Sequence, residues 1–158
     1  MNKKSEVVYF KYHHLSKWIF IFFILFSCSG KTNISKDFDN YLAAFDESIP
    51  ESEHFYVILS KYACQSCLKS LLPIFVEKSK NYKQDSFTYI VANSSKYSSL
   101  ENLKAKVIND KKELISMLNM NISDFTIIKT NKHKIIKVLN FGTTDYDKFL
   151  LFLNTELR

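Results

Sequence analysis

No stretch of this sequence approaches the roughly 20 consecutive apolar residues a helix needs to cross a ~30 Å hydrocarbon core. The run Trp18–Phe26 is less than half that length. The lysines are numerous, yet no four are consecutive and they do not alternate with aromatics, so no nucleic-acid face is predicted. A GxSxG motif is absent, and the polar stretch holding Ser94, Ser95, Ser98 and Ser99 offers no activated nucleophile. Histidine is scarce at four residues: His13 and His14 lie near the start, and His54 and His133 complete no zinc pattern. At a predicted strand start and in a turn, His54 and His133 are expected to be solvated. Met117 and Met120 read as packing residues of a helix and its end rather than as metal ligands. No internal repeat is present. Cysteine is rarer still, at three: Cys28, Cys64 and Cys67.

What is there begins with charge. Lys3, Lys4, Lys11 and Lys17 stand against Glu6 alone before the apolar run, which is the n-region and h-region order of a signal peptide. The run ends in Leu25, Phe26, Ser27 and Cys28, which resembles the lipobox of bacterial lipoproteins. That resemblance implies cleavage before Cys28, a diacylglyceryl thioether on its sulfur, and acyl chains holding the protein at a membrane surface of the cell envelope, facing the periplasm or exterior. The alternative is a short uncleaved anchor with an incidental cysteine. The expected organisation is a signal peptide over 1–27, a lipidated polar tether over 28–36 and one domain over 37–158. The leader takes four of the 22 lysines and arginines and one of the 16 acidic residues, so the mature net charge falls to +3. Only Cys64 and Cys67 then remain as thiols, spaced CxxC, in a compartment where disulfides form.

From Asp37 the pattern is helical, with Phe38, Tyr41, Leu42, Phe45 and Ile49 at intervals of three and four before Pro50. His54–Ser60 predicts a buried central strand. Cys67–Lys80 predicts a helix through Leu68, Leu71, Leu72, Phe75 and Val76, kinked at Pro73, so the CxxC falls at a strand-to-helix junction. Phe87–Ala92 predicts a second strand. Ser98 with Glu101, and Asp110 with Glu113, have capping-box spacing, and the second pair predicts a helix to Met120 with Leu114, Met117 and Leu118 on one face. Phe125–Lys129 and Lys134–Leu139 predict a hairpin, and Tyr146–Leu157 a closing amphipathic helix.

In that order, and with YVILSKYACQSC before a proline-containing helix, the chain resembles thioredoxin-like lipoproteins, the membrane-tethered thiol-disulfide oxidoreductases of bacteria. The resemblance covers about residues 54–157. It implies an α/β thioredoxin-like fold with a βαβαββα core, here with an extra N-terminal helix. It departs from the family pattern at three places. Ala63 stands where the family has Trp, and Gln65 and Ser66 replace its Gly-Pro pair. The strand HFYVILS carries no buried carboxylate. Asp124 occupies the position of the family's cis-proline, in the loop that pairs with substrate.

A thiol at the first turn of a helix sits near unpaired amide hydrogens and the positive end of the helix dipole, which favours the thiolate. Cys64 is the expected nucleophile and Cys67 the resolving thiol, with Lys61 and Lys69 close in sequence. The expected partners are thiols or disulfides of other exported proteins; no cofactor and no metal is expected. Two alternatives stay open: a redox-silent binding module with a structural disulfide, and a thiolate site for Cu(I).

Overall fold

The computed structural model describes residues 33–60, 65–92, 100 and 105–157, without the side chains of residues 65–67 and 84. The leader, Cys28, Cys64 and the Ser98–Glu101 pair lie outside the described residues.

Helix α1 spans Ile34–Ala43 and begins inside the segment read as tether. Asn33 caps it, its side-chain oxygen accepting from Lys36 N–H at 3.4 Å. It ends before the periodicity does. Asp46 takes a left-handed φ of 59°, and Asp46 and Glu47 N–H groups return to Ala43 and Leu42 carbonyls, closing the C-terminus. Ile49 is buried all the same, its N–H held by the Asp39 carboxylate at 2.8 Å.

Strand β1 is His54–Leu59, buried from Phe55 onward. Helix α2 covers Gln65–Ser79, running through Pro73. Strand β2 is Phe87–Val91, entered by a single 3-10 turn at Gln84–Ser86. Strand β3 is Lys106–Asn109, β4 Phe125–Asn131, β5 Lys134–Phe141, and helix α3 Tyr146–Glu156. The sheet order is β3-β2-β1-β4-β5. Strands β1, β2 and β3 run parallel, β4 is antiparallel to β1, and β5 is antiparallel to β4. This is a mixed α/β fold of thioredoxin-like layout, in which a parallel β1-α2-β2 unit is joined to an antiparallel hairpin and a final helix.

Both faces of the sheet are covered, which is why β1 and β2 read as nearly continuous apolar runs. Phe55, Val57, Leu59, Phe87, Tyr89 and Val91 pack under α2 and α3, meeting Leu71, Phe75, Phe149 and Phe152. Rings there prefer edge-to-face contact, as in Phe141 against Phe149 at 5.1 Å and 80°. On the other face Tyr56, Ile58, Ile90, Ile108 and Ile128 pack against Phe38, Tyr41 and Leu42 of α1.

One expected element is replaced. Asp110 and Glu113 do not open a helix: an edge strand precedes them and a single 3-10 turn, Leu114–Met117, follows. Glu113 has φ 56°, which no helix interior accommodates, and the Asp110 carboxylate instead accepts from Leu114 and Ile115 N–H, both at 2.9 Å. One turn is enough to bury Ile115, and it leaves Met117 76% exposed rather than packed. Among the described residues no helix is long and apolar enough to cross a membrane.

Candidate functional site

Cys64 lies outside the described residues, and Cys67 is described only as backbone within α2. The two described sides of the junction are well defined. Strand β1 ends at Leu59, in the middle of the sheet, and the first residue of α2 is Gln65, next in sequence after Cys64.

Asp124 sits half-buried immediately before β4. Its carbonyl accepts the Ser60 N–H at 3.3 Å, extending the β1–β4 pairing by one step beyond Leu59↔Phe125. The loop carrying Asp124 therefore runs beside Ser60, the last described residue before the CxxC. A hydrogen-bond knot fixes that loop. Thr126 Oγ1, fully buried, donates to Asn140 Oδ1 at 2.6 Å and accepts from Ser123 N–H at 2.9 Å, while Asn140 Nδ2 donates to the Asn121 carbonyl at 2.8 Å. No peptide bond among the described residues is cis.

At the carboxyl ends of β1 and β2 a cleft of about 350 Å³ opens, lined among others by Ile58, Ser60, Ile90, Ala92, Met120 and Ile122. Open α/β sheets place their working surfaces at this end of the parallel strands. Asp110 lies at its base, 1% exposed, and there also accepts the Tyr41 hydroxyl at 3.2 Å. Burial, followed by the nearby Asp110 charge and that hydrogen bond, drives the Tyr41 hydroxyl far above the usual tyrosine range. Under α2, Tyr89 is fully buried, with the Ser79 side chain as its polar neighbour and no well-formed hydrogen bond from its hydroxyl among the described residues. Burial pushes it up to about 12, so it remains neutral.

His54 departs from expectation. It is half-buried rather than freely solvated at the strand start: its Nε2 lies 2.9 Å from Thr88 Oγ1, and its ring stands 4.7 Å from that of Tyr56. Burial pulls the imidazole down to about 4, against a partly compensating Glu47. It lines a cleft of about 480 Å³ at the opposite end of the strands, with Glu47, Asp85 and Lys106. His133 lies in the hairpin turn as expected, where its Nδ1 is 2.6 Å from the Ile49 carbonyl. Sequence reasoning missed Asp110 as a buried anchor, although its spacing to Glu113 did flag it as a cap. For Tyr89 the sequence carries no signal beyond its place in a strand. Among the described residues, no three His, Cys, Asp or Glu side chains converge as a metal site.

No protein-family model matches the sequence. No curated protein matches it. Among solved structures it is similar to one described as "Solution Structure of a Putative Thioredoxin from Neisseria meningitidis", with 16% identity, a TM-score of 0.45, and coverage of 66% of this chain and 74% of that one.

Proposed function

We propose that this chain is a lipid-anchored thiol-disulfide exchange protein of the cell envelope, working through Cys64 and Cys67. The observation that carries the reading is the junction itself: a CxxC whose first cysteine directly precedes the 15-residue helix Gln65–Ser79, after the buried central strand of a thioredoxin-like sheet. A thiol beside the first turn of such a helix is favoured as thiolate by the unpaired amides and the helix dipole. The Asp124 loop, bonded to Ser60, supplies a neighbouring backbone edge.

In the reducing direction the Cys64 thiolate attacks a client disulfide. A Cys64–client disulfide forms and one client thiolate leaves. The Cys67 thiolate then attacks the Cys64 sulfur, closing the intramolecular disulfide and releasing the second client thiolate, so two electrons pass from the pair to the client. The oxidising direction is the reverse. The second reading, a redox-silent binding module, is favoured by one observation: β1 is apolar from Phe55 to Leu59 and offers no carboxylate for proton transfer beneath the motif.

The test is trapping. A Cys67→Ser variant, expressed as the full chain, should accumulate reducible mixed disulfides with other exported proteins through Cys64, and Cys64→Ser/Cys67→Ser should accumulate none. Absence of adducts from the single variant would favour the binding module.

A further inference from the structure

We infer that the start of α1 and the bulged edge of β5 form the surface that rests on the membrane, an anionic phospholipid bilayer, so that the CxxC end of the sheet points away from it. The inference rests on the reading of Cys28 as the lipidated residue and adds an orientation to it. Asn33 is five residues from Cys28, a tether that spans at most about 18 Å fully extended. The acyl chains therefore hold the first turn of α1 close to the headgroups. That turn sits against one particular end of the sheet, because Ser35 Oγ accepts the Ile135 N–H at 3.0 Å. Ile135 pairs with Thr130, which pairs with His54 at the beginning of β1. The other end of the same strands is Leu59, Phe125 and Phe141, next to Ser60 and the approach to Cys64. The six residues of β1 separate the two ends by about 17 Å.

The chemistry of the near end suits a bilayer surface. Ile136 is displaced by the bulge opposite Lys129 and Thr130 and is 59% exposed, and Ile34 is 38% exposed. Lys36, Lys132 and Lys134 are exposed beside them, and Lys137 is held by Glu156. Asp37, Asp39 and Glu51, with Asp85 in the His54 cleft, are carboxylates at this end that no described lysine bridges, so the three lysines face a surface of mixed sign. Two apolar tips among lysines fit the headgroup boundary, the apolar groups entering and the ammonium groups meeting lipid phosphates. With the redox end raised by the length of the sheet, the clients of this orientation are water-exposed disulfides rather than disulfides at the bilayer surface.

The test uses the full chain, matured and reconstituted into vesicles of phosphatidylethanolamine and phosphatidylglycerol with brominated acyl chains. Loss of the leader removes Trp18, the sole tryptophan, so a single introduced tryptophan reports its own surroundings. Ile136→Trp should be quenched and blue-shifted, and Met117→Trp, at the far end, should not. In the unsubstituted protein, amine labelling of Lys36, Lys132 and Lys134 should slow several-fold on vesicles while that of Lys111 and Lys112 does not. Equal quenching at both positions, or uniform labelling, in a protein whose mass shows acylated Cys28 overturns the orientation alone. An unacylated Cys28 overturns the anchor and the orientation with it.

Discussion

His54 shows how much a single residue's surroundings are hidden from its sequence neighbours. Its place at the head of a strand suggests solvent, but its ring meets Tyr56 two residues on and Thr88 on β2, thirty-four residues away, and shares a cleft with Glu47 and Lys106. The folded imidazole titrates near 4 rather than near 6.5, so below the unfolded value the unfolded chain binds more protons. This contribution is complete above about pH 6.5 and is lost as pH falls toward 4. Allowing for partial solvent screening, its size is on the order of 2 kcal/mol. Urea melts from pH 7 to 4 should show that slope, and His54→Gln should flatten it. Cys64 and Cys67 stood out in the sequence for the opposite reason, since spacing alone marks them. Asp124 was identified only by alignment to the resemblance, and its loop is held by Thr126 and Asn140, whose pairing no local pattern announces.

Among the elements, the central strands, the CxxC helix, the hairpin and the closing helix were legible, because long apolar runs and period-3.6 stripes survive into the fold. The stretch from Lys106 to Met120 was not. Its Asp110–Glu113 spacing suits a helix cap, but the parallel pairing Ile90↔Ile108 commits the preceding residues to an edge strand, and the carboxylate caps one 3-10 turn. Asp110→Ala leaves two amides and the Tyr41 hydroxyl without their acceptor and should cost about 3 kcal/mol, against about 1 kcal/mol for Tyr41→Phe. The double variant should cost less than the sum, which a double-mutant cycle in urea measures. The predicted strand ends, Lys129 and Lys134, leave four residues for the hairpin turn. Pairing continues to Asn131↔Lys134, so Lys132 and His133 alone make the turn, at φ 50° and 58°. Non-glycine residues persist there because Lys132 and His133 N–H groups donate to Glu51 and Pro50 carbonyls. His133→Ala keeps the left-handed strain and loses the ring's bond to Ile49, so it should destabilise by about 1 kcal/mol; His133→Gly, which relieves the strain, should cost less.

Across the whole molecule, one ion network ties the sheet to the last helix. Lys129 bridges Glu53 at 2.8 Å and Glu156 at 2.7 Å, with Tyr82 donating to Glu53 at 2.7 Å. Burial works to raise Glu53, but hydrogen bonds from Lys129 and Tyr82 bring it below the usual range; the Lys129 bond does the same for Glu156. Carboxylates lowered on folding stabilise above their unfolded values and lose that contribution as pH falls through the folded ones, a window below that of His54. Lys129→Met should therefore reduce the acid slope below about pH 4.5 and leave the His54 slope in place. The same end of the sheet is the one proposed to rest on the membrane, with the proposed exchange at the opposite end. The most direct test of the proposed exchange is the reduction potential of the Cys64–Cys67 pair in the full chain as the cell processes it, with the alkylation rate of reduced Cys64 followed against pH. A potential between roughly −270 and −120 mV, with Cys64 reacting well below pH 8, is the predicted result. A disulfide that resists reduction below about −300 mV, or a Cys64 that titrates like an ordinary free thiol, would contradict it.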